Sequence, residues 1–238
     1  MSWRDFVDTR AFDVAAYLPM LPLFNEMREE ELQRLAGGCQ VRRLTRGEVL
    51  FRVGQPCEEF HVAVTGQLKL YALSAAGQEK VIELLGPGHS FAEALMLTGK
   101  PYFINAQALT DVLVLTVGKQ AVQAEIEHDS RFALRMLAGM SRRLHSLVHD
   151  VEAYALHSGL QRVIGYLLGE HDCGGERSNA DTVSLPVSKA TVASRLSLTP
   201  EYFSRVLREL ESAELIKVER RDIRILDARR LAAYQPVR

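Results

Sequence analysis

The chain has 238 residues, of which 47% are hydrophobic and 25% are charged, a composition typical of one or two globular domains. No stretch approaches the ~18 consecutive apolar residues of a membrane span, and the acidic N-terminal segment lacks the apolar core of a secretory signal. We therefore expect a cytoplasmic protein with no membrane partner. Three widely spaced cysteines, Cys39, Cys57 and Cys173, exclude a disulfide framework and a four-thiolate cluster within one chain.

Charge is distributed unevenly along the chain. Residues 1–118 contain 11 basic and 14 acidic residues, an excess of three negative charges, whereas residues 186–238 contain 11 basic and 7 acidic residues, an excess of four positive charges. A basic C-terminal quarter on an otherwise acidic chain indicates a polyanionic partner for that segment, although such an excess is also common on a solvated surface.

The first segment, from about residue 22 to 118, shows short apolar runs separated by glycines. Part of it alternates apolar and polar residues with a period of two, as in a strand with one buried face. The glycines fall at intervals that suit tight turns: Gly47, Gly54, Gly66, Gly77, Gly86 and Gly88. This pattern predicts an antiparallel barrel or roll, whose last strand is "DVLVLTV", residues 111–117.

A helical pattern follows from about Asp129 to Leu156. Apolar residues recur there at spacings of 3, 4, 3, 4 and 3, at Leu137, Met140, Leu144, Leu147, Val151 and Tyr154. This heptad seam favours a coiled-coil homodimer, with these six residues at the interface. A helix that packs on its own domain is the alternative.

The third segment predicts a winged helix-turn-helix. Ser188 can cap one helix, and Thr199 can cap a second helix that has Pro200 at its first position. Phe203, Val206, Leu207 and Leu210 would form the inner face of this second helix. The run "LIKVERRDIRIL" then predicts a β-hairpin that turns at Arg221-Asp222. Such a unit places its second helix in the major groove of DNA, whereas a helical pair without DNA is the alternative.

The order of these segments, together with "RGEVLF", "GQLKLY" and "RRLH", resembles the cyclic-AMP receptor/FNR superfamily of bacterial transcription regulators from about residue 20 to 230. "GQEKVIEL", "FAEALM" and "LSLTPEYFSR" look like the Dnr-type branch, the nitric-oxide-responsive regulators of denitrification. The resemblance implies an α+β fold with a β-roll sensor domain (1–128), a dimerisation helix (129–157) and a winged helix-turn-helix (158–238). It also implies a homodimer that binds double-stranded DNA and contacts RNA polymerase.

The second helix of the motif carries the ExxSR pattern of FNR-type regulators, as Glu201, Ser204 and Arg205. Arginine can bind the O6/N7 edge of guanine with two hydrogen bonds, and glutamate can accept from cytosine N4. Glu201 and Arg205 share a helix face, so a surface ion pair is the alternative role for them, and both roles could hold because the pair would pre-orient the arginine. The resemblance implies a TTGAT-N4-ATCAA-like palindrome. Further DNA-contact candidates are Thr199, Ser188, Lys189, Arg208 and Arg221.

Relatives that bind cyclic AMP hold its phosphate with an Arg-Ser pair and its adenine with a Thr-Ser pair on the dimer helix. Here Ile104-Asn105, or Phe103-Ile104, replace the first pair, and Leu147-Val148 replace the second. Without a cation, the phosphate would lose its charge-assisted hydrogen bonds. Cyclic AMP is therefore an unfavourable effector, although Glu93 is retained.

The predicted effector pocket is lined by Phe91, Glu93, Leu95, Phe103, Ile104, Asn105, Leu147 and Val148. A mainly apolar pocket suits a flat cofactor, and Dnr-type regulators are haem-dependent sensors of nitric oxide, so haem is the leading hypothesis, with His89 as the candidate ligand. An iron–sulfur cluster is excluded, because FNR itself needs four cysteines. The alternatives are a collapsed core, another small effector including a cyclic nucleotide, or no effector.

No nucleophile–base pair, Walker A loop or HExxH motif occurs in the sequence, so we do not expect an enzyme. A cyclic-nucleotide-gated regulatory subunit is disfavoured by the winged helix. A constitutive DNA-binding regulator, controlled only by its own abundance, remains an alternative.

Overall fold

A computed structural model describes residues 12–21, 23–25, 27–169, 182–185 and 187–235. The chain forms two compact units. The first comprises Met1–Leu68 and Gly86–Leu144, and the second comprises Lys69–Leu85 and His145–Arg238, within the described residues.

The secondary structure mixes strands and helices in the order expected for an α+β chain. In chain order the helices are α1 Val14–Tyr17, α2 Glu29–Gly37, α3 Glu93–Thr98, α4 Lys119–His128, α5 Ser130–Leu156, α6 Gly159–Leu168, α7 Lys189–Arg195, α8 Pro200–Ser212 and α9 Ala228–Ala232. In chain order the strands are β1 Cys39–Leu44, β2 Val49–Phe51, β3 Glu59–Thr65, β4 Leu68–Leu73, β5 Glu79–Leu85, β6 Ser90–Phe91, β7 Asn105–Ala108, β8 Val112–Gly118, β9 Thr182–Ser184, β10 Ile216–Glu219 and β11 Asp222–Ile225.

The first unit is built around an antiparallel sheet of order β1-β8-β3-β6. Strand β8 pairs with β1 from Cys39 opposite Val117 to Leu44 opposite Val112, and β2 forms a separate antiparallel pair with β7. Both β3 and β8 are buried on both faces over most of their length, so these two strands do not show the alternation of buried and exposed residues that a strand with one buried face has. The predicted antiparallel roll is confirmed, and its last strand, Val112–Gly118, begins and ends one residue later than the predicted run of residues 111–117.

The turn that follows β3 depends on a glycine. Gly66 has a φ of +77°, and a Cβ atom built there would lie 2.3 Å from the carbonyl oxygen of Asp111. The backbone of this turn therefore approaches the end of the neighbouring strand more closely than any larger residue would allow.

The core of the first unit contains a cluster of four rings. The Phe51 and Tyr102 rings stack with centroids 3.7 Å apart, and His61 packs against Phe51 and Phe91. The His61 nitrogens are both engaged, Nδ1 with Thr116 Oγ1 at 3.2 Å and Nε2 with the Tyr102 hydroxyl at 3.0 Å. Burial, and to a smaller extent the positive charge of Arg42, lower the pKa of His61 to about 3.

This neutral, buried histidine makes the stability of the first unit sensitive to acid. The unfolded chain binds a proton at the histidine's ordinary pKa of 6.5, whereas the folded chain does not do so until about pH 3. Between these values the unfolded state binds more protons, so stability falls as the pH falls, by about 1.4 kcal/mol per pH unit. We expect the free energy of urea unfolding to fall less between pH 6 and pH 4 in His61→Gln than in the wild-type protein. The same change at exposed His128 should leave the wild-type slope intact, and an equal slope in all three proteins would contradict the prediction.

Helix α5 has 27 residues and is about 40 Å long. It begins one residue after the position expected from the heptad pattern and ends at Leu156, so the predicted long helix is confirmed. It is preceded by α4, which the sequence analysis did not predict. Several large apolar side chains on α5 are exposed in the single chain: Leu134, Leu137, Leu144, Leu147, Val148, Val151 and Leu156.

The second unit contains the winged helix-turn-helix, which consists of α7, α8 and a sheet of order β10-β11-β9; β9 precedes α7, and β10 and β11 follow α8. Ser188 caps α7 by accepting a hydrogen bond from the Thr191 amide, and Thr199 caps α8 by accepting from the Tyr202 amide. The four residues predicted for the inner face of α8 are all buried. The capped helix pair predicted from the sequence is therefore confirmed.

The wing differs from the prediction by one residue. Glu219 pairs with Asp222 across β10 and β11, so the hairpin turns at Arg220-Arg221 and not at Arg221-Asp222. Arg220 adopts a φ of +58°, the left-handed conformation that the tight turn requires.

No helix among the described residues is both long enough and apolar enough to cross a membrane.

Candidate functional site

The outward face of α8 presents a row of polar side chains. Glu201, Arg205 and Arg208 are exposed and Ser204 is half-buried, at positions one turn and two turns apart along the helix. The opposite face is held in the core by Phe203 and its three apolar neighbours. Because the apolar face fixes the rotation of the helix, the four polar side chains must point away from the second unit.

The Arg205 guanidinium lies against an aromatic ring and not against the glutamate one turn earlier. Its guanidinium carbon lies 4.7 Å from the centroid of the Tyr202 ring. In the part of the chain that the structure describes, Glu201 forms no ion pair with Arg205. The expected pre-orientation by Glu201 is therefore wrong for this structure, because the guanidinium lies over the ring three residues before it. Tyr202 was not predicted as a site residue, because its only signal in the sequence is its i, i+3 spacing from Arg205.

The remaining candidates for DNA contact surround this helix within the second unit. The hydroxyl oxygens of Thr199 and Ser188 accept from backbone amides, and Ser188 Oγ also lies 2.8 Å from Thr191 Oγ1. Lys189 is the first residue of α7, and Arg221 lies in the wing, where its carbonyl oxygen accepts from the Leu185 amide. Both cap residues thus have a structural role that is independent of DNA.

The carboxyl end of α7 is held by a lysine from β5. Lys80 Nζ donates to the carbonyl oxygen of Ser194, to that of Arg195 at 3.1 Å and to Ser197 Oγ at 2.8 Å. The Val81 amide adds a hydrogen bond to Ser194 Oγ at 3.0 Å. We call this set of contacts the Lys80 clasp. It satisfies carbonyl groups that a helix end leaves without intrahelical partners.

Helix α5 contributes to the same end of α7. The Tyr154 hydroxyl donates to the Arg195 carbonyl oxygen at 2.6 Å, and Arg195 forms a salt bridge with Asp150 at 2.5 Å. Tyr154, which the heptad pattern assigns to the dimer interface, therefore has its hydroxyl bonded within its own chain. The Lys80 ammonium group lies 5.2 Å from the Tyr154 ring centroid. Burial and the guanidinium groups of Arg195 and Arg162 lower the pKa of Lys80 to about 8, so the ammonium form still predominates at pH 7.

Replacing Lys80 by methionine should destabilise the second unit. Methionine keeps an unbranched chain of similar length but removes the donors, and hydrogen bonds from a charged group contribute about 1.5–3 kcal/mol. We expect a loss of about 1–3 kcal/mol in unfolding free energy and faster amide hydrogen exchange at the carboxyl end of α7. Lys217→Met is the matched control, because Lys217 is exposed and, within the described part of the chain, its ion pair is with exposed Glu219. Unchanged exchange in α7 would show that the clasp is not formed in solution.

The first unit contains six of the residues assigned to the effector pocket. Phe91 is buried in the ring cluster, whereas Phe103 is 67% exposed and the neighbouring Tyr102 is the buried aromatic residue. The Asn105 side chain accepts a hydrogen bond from the Val53 amide at 3.1 Å. Ile104 is half-buried beside it. Tyr102 was not predicted to be buried, because neighbouring aromatic residues in a loop give no periodicity.

Helix α3 carries the other two candidates of this unit, Glu93 at its first position and Leu95 one half-turn later, both half-buried. Ala92, which precedes the helix, has a φ of +74°. A non-glycine residue in this conformation is strained by roughly 1 kcal/mol, a feature that is found preferentially at functional sites. The last two candidates, Leu147 and Val148, belong to the second unit and are exposed on α5.

His89 lies directly before β6, four residues before Glu93, and is half-buried. Its Nδ1 atom lies 2.9 Å from the carbonyl oxygen of Gly86. Because a carbonyl oxygen only accepts, Nδ1 carries the proton and Nε2 is unprotonated. Among the described residues, no three His, Cys, Asp or Glu side chains converge as a protein-only metal site. Cys39 and Cys57 are free thiols, and Cys173 lies outside the described residues.

Taken together, an antiparallel β-roll, a long helix and a capped helix-turn-helix with a polar outer face define a DNA-binding regulator with a ligand-binding-type domain. Two family models match this division, the cyclic nucleotide-binding domain over residues 41–129 and the Crp-like helix-turn-helix domain over residues 161–234.

Individual proteins agree with these domain matches. The chain is 32% identical to DNR from Pseudomonas aeruginosa over 92% of this chain and 96% of that one, with a TM-score of 0.50. FixK2 from Bradyrhizobium japonicum has a similar fold, with 20% identity, a TM-score of 0.72 and coverage of 84% and 98% of the two chains. The transcriptional activatory protein AadR of Rhodopseudomonas palustris is 28% identical over 205 residues, 86% of this chain and 83% of AadR.

The chain belongs to the Crp/FNR family of transcription regulators. Its helix-turn-helix domain binds DNA, and members of this family are typically dimers.

Proposed function

We propose that this protein is a homodimeric, sequence-specific regulator whose two α8 helices enter successive major grooves of a TTGAT-N4-ATCAA-like palindrome. The observation that carries the proposal is the outward row Glu201, Ser204, Arg205 and Arg208 on a helix whose rotation is fixed by its apolar face. Arg205 would bind guanine, Glu201 would accept from cytosine, and Ser204 would make a less selective contact.

Contacts to the phosphate backbone would set the register of this helix on the duplex. Lys189 at the start of α7, Arg208 on α8 and Arg221 in the wing supply cations around the base-reading row. Ser188 and Thr199 present the amino ends of α7 and α8, which favour phosphate oxygens. These contacts would contribute affinity that depends on salt but carries no sequence information.

The exposed apolar side chains of α5 support dimerisation through this helix. Leu137, Leu144, Leu147 and Val151 are all more than 40% exposed in the single chain, and Met140 is half-buried between them. A helix with heptad spacing and an exposed apolar stripe buries that stripe against a second copy. We propose RNA polymerase as a further partner on the basis of the family alone.

For the effector we propose haem, with nitric oxide as the signal. The histidine geometry of the first unit fits a haem ligand, because His89 has one nitrogen oriented by a backbone carbonyl, whereas both nitrogens of buried His61 are already hydrogen-bonded. A bound haem iron would supply a site for diatomic gases. The protein would contribute the His89 imidazole and the apolar side chains of Leu95 and Ile104.

A cyclic nucleotide is the alternative effector, and the loop between α3 and β7 argues against it. The only cation between Glu93 and Ala108 is Lys100, which is exposed. Asn105, at one of the expected phosphate-binding positions, holds the backbone of Val53. A buried phosphate would therefore lack the charged partner that makes such sites strong.

A haemin titration of the purified protein, followed by nitric oxide and then palindromic DNA, tests the effector proposal. We expect a saturable Soret band at about one haem per subunit, and DNA binding that strengthens after nitric oxide. His89→Ala should shift or remove the band, while exposed His128→Ala is the matched control. DNA binding that responds to cyclic AMP, or to no additive, would replace haem by the corresponding alternative and leave the regulator itself in place.

A further inference from the structure

We propose that Tyr202 is a positioning residue for base recognition, which holds the Arg205 guanidinium in the orientation that binds guanine. The inference rests on the proposed role of Arg205 and adds a residue outside the Glu201, Ser204 and Arg205 pattern. The Tyr202 ring is half-buried, whereas Arg205 is exposed, so the ring is the more enclosed of the two side chains.

The contact between the two side chains is a cation–π arrangement. The guanidinium carbon is 4.7 Å from the ring centroid, within the ~6 Å range in which the ring face attracts a cation. Tyr202 and Arg205 are three residues apart, so they are neighbours on the helix surface. An unrestrained arginine loses much rotational freedom when it binds a base with two hydrogen bonds, and a stacked guanidinium has lost part of that freedom already.

The position of the ring depends on the backbone of α8 and on the space beside Gly159. The Tyr202 backbone amide donates to Thr199 Oγ1 at 3.2 Å, which fixes the first turn of α8. Across the ring lies Gly159, the first residue of α6. A Cβ atom built on Gly159 would lie 2.6 Å from Tyr202 Cε1 and 3.0 Å from both Tyr202 Cζ and Leu198 Cδ2. Gly159 therefore provides the space that the ring occupies.

This arrangement gives Gly159 and Tyr202 a shared function. Because no side chain larger than glycine fits beside the ring, a methyl group at position 159 would displace the ring and with it the guanidinium. The residues needed for accurate base recognition would thus extend from the outward face of α8 to the amino end of α6, within the second unit.

The experiment compares Tyr202→Leu with Tyr202→Phe. Dissociation constants are measured at one salt concentration for the palindrome, for a palindrome with the guanine of each half-site replaced, and for nonspecific DNA. Cation–π contacts at exposed sites are weak, so over two half-sites we expect Tyr202→Leu to lose about 5- to 30-fold in specific affinity, with nonspecific binding unchanged. Tyr202→Phe should retain the wild-type discrimination, because the ring face is preserved.

Gly159→Ala provides an independent variant that leaves both side chains of the contact in place. Alone it should reduce discrimination at the guanine, as Tyr202→Leu does. In the Tyr202→Leu background it should have no further effect on discrimination, since the ring that it displaces is absent. Thermal unfolding of each variant reports stability separately, so a loss of folded protein is distinguished from a loss of specificity.

The outcomes separate this inference from the proposed role of Arg205. If Arg205→Ala keeps its discrimination at the guanine, base recognition by Arg205 is wrong and Tyr202 has nothing to position. If Arg205→Ala loses discrimination but Tyr202→Leu keeps it, only the positioning role is overturned. A Tyr202→Phe variant as defective as Tyr202→Leu would also overturn that role, because the hydroxyl rather than the ring would then be required.

Discussion

Replacing Arg205 by alanine is expected to reduce affinity for the TTGAT-N4-ATCAA palindrome by roughly 30- to 10⁴-fold. One bidentate arginine–guanine contact contributes about 1–3 kcal/mol of discrimination, and a dimer on a palindrome loses two of them. The loss of affinity should be confined to DNA that carries the palindrome, because the cations of α7 and of the wing still attract the phosphates of any DNA. Fluorescence anisotropy with the palindrome and with a guanine-substituted duplex, at two salt concentrations, measures both components.

Arg229→Ala is a suitable control for this measurement, because Arg229 is an exposed arginine of the same unit that lies on α9, away from α8 in sequence. It removes the same charge and should change specific and nonspecific binding by similar small factors. The role of Arg205 is refuted if its alanine variant weakens both DNAs equally, since that is the behaviour of a phosphate contact.

Introducing glutamate at Leu144 is expected to abolish dimerisation at concentrations where the wild-type protein is a dimer. Leu144 lies in the middle of the heptad stripe and is 60% exposed in the single chain, so the subunit loses little packing of its own. In a coiled coil the two glutamates would face each other without a partner, and burying unpaired charge costs several kcal/mol. We expect the dimer dissociation constant to rise by at least about 100-fold. Palindrome binding should weaken with it, because the two half-sites must then be occupied independently.

Analytical ultracentrifugation over a range of concentrations measures the first effect, and circular dichroism checks that the subunit remains folded. Arg142→Glu places the same side chain on the same helix but on nearly the opposite face, and it should leave the dimer intact. A monomer in both variants, or a dimer in both, would show that the interface does not follow the heptad stripe.

The helix-turn-helix was predictable from the sequence because its determinants are local. Ser188 and Thr199 are cap residues directly before their helices, and Pro200 suits the first position of α8, so each helix start is defined by residues at that start. The inner face of α8 follows from a 3.6-residue period, and the length of α5 follows from a heptad pattern sustained over several turns.

The features that the sequence analysis missed depend on contacts between distant residues. Which of Tyr102 and Phe103 is buried is decided by the stack on Phe51, about fifty residues earlier in the chain. The need for Gly159 arises from a ring on another helix. The wing was misplaced by one residue because several polar residues in a row can each form the turn, and only the pairing of β10 with β11 decides between them.

The Lys80 clasp has a consequence for where the DNA-binding part of this protein can be cut. The segment that matches the helix-turn-helix family, residues 161–234, contains α7 but excludes Lys80, Asp150 and Tyr154. In a fragment cut at residue 161, the carbonyl groups at the end of α7 to which Lys80 and Tyr154 donate would be exposed to water. We therefore expect a fragment of residues 161–234 to have a less stable α7 than the intact chain, and a fragment that keeps these contacts has to include β5 and the carboxyl end of α5.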